Sequence, residues 1–271
     1  MTRYINKVLI KDNEVIKKTK RNLKELFSYL DEVEFINYPK IIEIEDRIIK
    51  TEYIKSIKNR EIIKGKEFIK TVATLHKNTM IYKDVSKNKY KKIHKSLMEN
   101  IEYLKEYYNS LIEEIEYKEF MSPKEYLFAR NYSIILATLN KAESTLNKWL
   151  KIVETKSKER VCTLHNNLTL KHFIKGDKNY LISWDNYTVD TPILDLYKFY
   201  KKEGFQLEFR ELLNAYEEIN RLTEEETLLL KSLMLIPPKI QFLNDEYLST
   251  IYLKDSFSYI YSSVNITIEN K

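Results

Sequence analysis

VCTLHNNLTLKHFIKGDKNYLISWDNYTVDTPILDLYKFY, residues 161–200, is the stretch whose reading decides the fold. It enters as an apolar strand and turns polar at His165. Short strands are predicted at Phe173-Ile174 and over Tyr180–Trp184, separated by Lys175-Gly176-Asp177. Two strands about a Gly-Asp turn make a hairpin. Thr191-Pro192 then opens a helix, because proline lacks an N–H at a position where that donor has no intrahelical partner. The order is loop, hairpin, loop, helix, with polar side chains gathered on one rim.

This layout resembles the core of the aminoglycoside phosphotransferase and choline kinase family, relatives of the protein kinases that include spore-coat kinase-like proteins. Members carry H-x-D-x-x-x-x-N, then a strand ending I-D-W-[ED], then a helix opening near P-x-x-D-L. The same frame here reads His165-Asn166-Asn167-Leu168-Thr169-Leu170-Lys171-His172, then Ile182-Ser183-Trp184-Asp185, then Pro192-Ile193-Leu194-Asp195-Leu196. The resemblance implies an α+β, two-lobed, protein-kinase-like fold. Its small antiparallel-sheet N-lobe would span residues 1–55, and its helical C-lobe residues 56–271, with a catalytic-type loop at 164–185. His165 heads that loop, and Asn167 stands where the catalytic aspartate belongs. His172 replaces the metal-binding asparagine and Ser183 the metal-binding aspartate. Asp195 resembles the aspartate that hydrogen-bonds the catalytic-loop backbone.

The three replacements decide what chemistry is left. Phosphoryl transfer in such folds is positioning plus charge neutralisation by magnesium, which prefers hard oxygen ligands. Serine brings no charge, and imidazole suits zinc, copper or iron better than magnesium. Asparagine accepts no proton, and loss of a general base costs about 10²–10⁴ in rate. The resemblance therefore implies a pseudokinase, with no cofactor required and a protein partner in place of a substrate. The alternative is an active phosphotransferase using ATP and magnesium on a small hydroxyl compound. Asp185 would then substitute for the metal aspartate, because alternate residues of an extended strand share a side. The opposing reading has Asp185 facing solvent or capping a turn.

Outward from this core, Tyr4–Ile10 and Glu14–Thr19 read as two strands about Lys11-Asp12-Asn13. The resemblance gives Lys17 the place of the phosphate-holding lysine and Glu25 that of its partner; an exposed strand lysine and a solvated helix glutamate are the other readings. The first glycine is Gly65, so no glycine-rich loop precedes Lys17. The strand pair that covers nucleotide is expected to be abbreviated or missing. Ile36–Ile54 alternates into two strands about Glu45-Asp46-Arg47, and Ile62–Leu75 is helical. His76 ends that helix in a packing or capping role. Ser86–Glu119 repeats apolar residues three or four apart, as a long amphipathic helix does. Ser122-Pro123-Lys124-Glu125 and Thr223-Glu224-Glu225-Glu226 are capping boxes. Further helices are expected over Leu194–Lys202, Phe205–Asn220 and Ile240–Ser263, with a frayed tail to Lys271.

Composition fits a single chain with one kinase-like body. The formal charge of +6 is spread among 40 acidic residues, which argues against a nucleic-acid footprint. Cys162 is the only cysteine, so no intrachain disulfide forms, in keeping with a reducing cytoplasm. No apolar run is long enough to span a membrane. The four histidines are scattered; His172 with Ser183, Asp185 and Asn167 is the one combination that offers donors for a transition metal.

Overall fold

The structure, a computed structural model, describes residues 3–5, 8–57 and 61–267. Two compact units form, the first from residues 1–82, 160–199 and 210–221, the second from 83–159, 200–209 and 222–271.

In the first unit β1 (Arg3–Ile5), β2 (Val8–Lys11), β3 (Glu14–Lys18), β4 (Ile41–Glu45) and β5 (Ile48–Glu52) make an antiparallel sheet ordered β1-β2-β3-β5-β4. The single strand expected over Tyr4–Ile10 is in fact two, and residues 6 and 7 between them lie outside the described residues. The covering strand pair is thus present, at three and four residues. The β2–β3 turn works because Asp12 and Asn13 both take positive φ, 51° and 62°, as a two-residue hairpin turn of matching twist requires. After β3, α1 (Lys24–Glu32) buries Leu26, Phe27 and Leu30, and α2 (Glu61–Asn78) buries Phe68, Ile69, Val72 and Leu75. Both show the three-to-four spacing of one helical face.

The strands β6 (Ile81–Asp84) and β7 (Lys158–Leu164) follow, and the end of β7 pairs with β10 (Thr188–Asp190), Leu164 opposite Thr188 and Cys162 opposite Asp190. Between them lies the hairpin of β8 (Phe173–Lys175) and β9 (Asn179–Leu181). The strand expected to run on to Trp184 stops at Leu181. Ser183 takes φ 71° and ψ 53°, and Trp184–Asn186 form one 3-10 turn. The cause is tertiary. Trp184 is 3% exposed, its ring edge-on to Phe27 and Phe35 at 6.3 and 6.1 Å and 4.8 Å from the His165 ring. Its indole N–H donates to the Leu181 carbonyl at 3.0 Å. Burial of one indole outweighs continuation of a short strand. The helices α5 (Ile193–Lys202) and α6 (Phe209–Glu217) complete the order here. The helix expected over Phe205–Asn220 is shortened, because Gly204–Gln206 first form a separate 3-10 turn.

The second unit holds α3 (Lys87–Glu116), α4 (Pro123–Val153), α7 (Glu224–Leu235) and α8 (Glu246–Thr267). Contacts of α3 with α4 run in opposite sense: His94 Nε2 meets Asn147 Oδ1 at 2.8 Å, Lys105 meets Glu143 at 2.6 Å, and Tyr132 meets Asn109. The two helices are therefore antiparallel. Reciprocal capping boxes open α4 at Ser122–Glu125 and α7 at Thr223–Glu226. The last helix starts at Glu246 rather than Ile240, and residues 268–271 of the expected tail lie outside the described residues. Among the described residues no helix is long and apolar enough to cross a membrane.

Gly176, in the β8–β9 turn, supplies a test of this packing. A Cβ there would lie 2.8 Å from Ile54 Cγ2 and 3.2 Å from the Tyr180 ring. That ring is held by its hydroxyl, which donates to Asp177 at 2.6 Å. Alanine for glycine in an open turn stabilises slightly, but here overpacking decides the sign. Gly176→Ala should cost about 1–3 kcal/mol in urea unfolding, and Ile54→Ala in the same chain should recover part of that loss.

Candidate functional site

The site is built on one buried carboxylate. Asp195, in the first turn of α5, is fully buried. It accepts the backbone N–H of His165 and of Asn166, each at 2.8 Å, and faces His76 Nε2 at 3.2 Å. Three donors on one carboxylate hold the chain as it leaves β7. Asn166 is left at φ 58°, a left-handed conformation that asparagine tolerates better than most residues. Its amide donates to the Asn186 carbonyl at 3.0 Å and its oxygen accepts from Lys198.

His76 is a brace rather than a reactive group. Its Nε2 points at the carboxylate, so Nδ1 accepts from the Tyr216 hydroxyl at 2.8 Å. His165, placed by sequence at the head of a catalytic loop, is fully buried and does not line the cavity of Lys17 and Asp185. Its Nε2–H donates to the Ile182 carbonyl at 2.8 Å, and Nδ1 is buried with no hydrogen-bond partner. Burial pushes its pKa down to about 4, against the pull of the Asp195 carboxylate. It is a neutral strut between the loop and the β9 exit.

The remaining predicted residues divide. Asn167, half-buried, uses its carbonyl to meet His172 Nδ1 at 2.9 Å. Lys17 and Asp185 come together as an ion pair, with side-chain exposures of 29% and 11%. Asp185 also accepts the Lys20 backbone N–H at 3.0 Å. It therefore faces neither bulk solvent nor the direction that an extended strand would give it; the 3-10 turn after Ser183 sets its aim. Burial pushes the Asp185 carboxyl up, but the Lys17 ammonium and the Lys20 amide prevail and hold it below the usual range. Glu25, assigned by resemblance as the partner of Lys17, is exposed on α1, and among the described residues no ion pair joins the two. Sequence reasoning reached both members of the observed pair but not the pairing.

Lys17 and Asp185 sit at one end of a cavity of about 570 Å³ within the first unit. Val8, Ile10, Val15 and Ile49 line it from the sheet, Ile174 and Ile182 from the hairpin side, and His172 and Ser183 reach its wall. The volume and the apolar walls suit a small-molecule ligand. Magnesium fits less well. The carboxylates on the lining are Asp185, taken by Lys17, and Glu52, which accepts the Lys40 backbone N–H at 2.8 Å. Imidazole and a serine hydroxyl complete a donor set without the hard anionic oxygens the ion needs. Among the described residues no three of His, Cys, Asp and Glu cluster to hold a metal.

With this geometry in place, comparison with solved structures gives the fold. The chain is similar to an aminoglycoside phosphotransferase from Alicyclobacillus acidocaldarius, at a TM-score of 0.69 and 8% identity, over 98% of this chain and 90% of that one. It is also similar to spectinomycin phosphotransferase in an AMP-bound complex, at a TM-score of 0.55 and 15% identity, over 99% of this chain and 94% of that one. No family model matches the chain, and no curated protein matches it. The fold is the α+β, protein-kinase-like fold of the aminoglycoside phosphotransferases.

The His165 strut gives a pH signature. An unfolded histidine takes its proton near 6.5 and the folded one only near 4. The unfolded chain thus binds more protons between those values, so His165 makes stability fall with decreasing pH across that window. The full effect is roughly 3 kcal/mol. Urea unfolding from pH 7 to pH 4 should show the fall, and His165→Gln, which keeps a donor for Ile182, should flatten it.

Proposed function

We propose that this protein is a pseudokinase: a kinase-like body, with a small lobe over residues 1–55 and a helical lobe over 56–271, that works by association rather than by phosphoryl transfer. The observation that carries the reading is Asn167. It follows directly on two backbone amides pinned by Asp195, so the loop is held in a defined place, yet the side chain there has no carboxylate to accept a substrate proton. His172 and Ser183 extend the same deficit to the metal positions. A protein partner is supported by the exposed residues Tyr117, Phe120, Met121, Tyr126, Tyr247 and Leu248 of the second unit, since aromatic and methionine side chains are enriched at protein interfaces. Attachment to a spore coat is the most specific form of that role, and it rests on the sequence resemblance alone.

The Lys17–Asp185 pair favours a second reading. A charged pair lining an apolar cavity is where an active phosphotransferase would handle ATP, with a small hydroxyl compound as acceptor. The two readings part in one assay. The purified chain should show no magnesium-dependent ATP turnover above the protein-free rate. The triple variant Asn167→Asp, His172→Asn, Ser183→Asp should gain magnesium-dependent nucleotide binding by thermal shift. Wild-type turnover that disappears in Asp185→Ala would replace the pseudokinase with the enzyme.

A further inference from the structure

A second cavity, also of about 570 Å³, lies in the second unit among α4, α7 and α8 and is lined by eleven residues. Its floor is apolar: Ile134 and Ala137 from α4, Leu228 and Leu235 from α7, Val264 from α8. Three threonines also line it, and their hydroxyls are already spent on their own helices. Thr138 donates to the Ile134 carbonyl at 2.6 Å, Thr145 to that of Lys141 at 2.7 Å, and Thr267 to that of Val264 at 3.1 Å. With the O–H turned back on the helix, the threonines add little hydrogen-bonding capacity to the groove.

Among the described residues the ionisable ones on the lining are lysines: Lys141, Lys148 and Lys231. Lys141 and Lys148 are exposed and two turns apart on one face of α4, about 10 Å along the axis. Among the described residues no carboxylate lines the groove beside Lys141 and Lys148. An apolar trough with a cationic rim selects an amphiphile with an anionic head. The size selects a small one: a protein interface engages about 20–30 residues a side, roughly twice what this groove offers, while the volume falls in the range of small-molecule pockets.

We infer that this groove binds a single-chain fatty acid anion, its acyl chain along the floor and its carboxylate against the ammonium groups of Lys141 and Lys148. The site is separate from the Lys17–Asp185 cavity and does not depend on whether that cavity is catalytic.

Calorimetric titration with decanoate, laurate and myristate below their micellar concentrations tests the site. Affinity should rise by about two- to fourfold per methylene, the increment expected for burying a CH₂ group. Lys141→Glu/Lys148→Glu, two exposed changes, should weaken laurate at least tenfold with the thermal melt little altered. Ala137→Trp, at an exposed position on the floor, should block the chain and abolish binding. Dodecyltrimethylammonium should bind at least tenfold more weakly than laurate. Equal binding of that cation, laurate affinity untouched by Ala137→Trp, or no laurate binding at all would overturn the assignment. So would capture of an acidic amphipathic peptide in preference to laurate, which would make the groove a protein site.

Discussion

A buried carboxylate answered by two backbone amides and one imidazole is the constraint on which the site depends. Asp195 is fully removed from water, and an isolated charge there would be prohibitive. Its stabilisation comes from hydrogen bonds, which are stronger when the acceptor is ionised. Those donors belong to His165 and Asn166, so the same bonds that stabilise the carboxylate fix the conformation of the loop. His76 ties the arrangement to α2, and Tyr216 and Asn220 continue the chain of hydrogen bonds, Asn220 Nδ2 donating to the Tyr216 oxygen at 2.7 Å. A polar network inside a core specifies geometry strongly when its members are satisfied. The unpaired Nδ1 of His165 is the exception, and burial keeps that imidazole neutral.

On the proposed reading, the frame and the chemistry have separated in this chain. Residues whose role is to hold the loop, Asp195, His76 and Trp184, are buried and engaged. At the three positions on which the proposed pseudokinase reading turns, the side chains are the amide of Asn167, the imidazole of His172 and the hydroxyl of Ser183. Asp185, a carboxylate on the same cavity lining, is neutralised by Lys17. Two charges held in mutual contact have less field to offer a polyphosphate than either alone. The cavity has apolar walls, so the loss that the pseudokinase reading proposes concerns charge and proton transfer and not space.

Much of the fold was legible because its signals are local. A capping box is a contact between residues three apart, and both proposed ones formed at Ser122 and Thr223. The Asp12-Asn13 turn and the long periodicity of α3 and α4 are likewise contained in short windows. The kinase-like class came from a family resemblance carried by about forty residues. What was illegible has tertiary causes. The strand through Trp184 bends because Phe27 and Phe35, more than a hundred residues away, make a pocket for the indole. That bend, and not strand alternation, puts Asp185 on Lys17, 168 residues away. The short strands β6 and β10 carry almost no buried side chains, so no hydrophobic pattern announces them. The resemblance sets His165 at the head of a catalytic-type loop, and only its burial reveals the strut.

The account stands on the claim that this cavity cannot grip a divalent cation against a nucleotide. Electron paramagnetic resonance of manganese with a non-hydrolysable ATP analogue measures that directly. Added protein should leave the spectrum of the manganese–nucleotide complex unchanged. A protein-dependent spectrum that reverts in Asp185→Ala would contradict it.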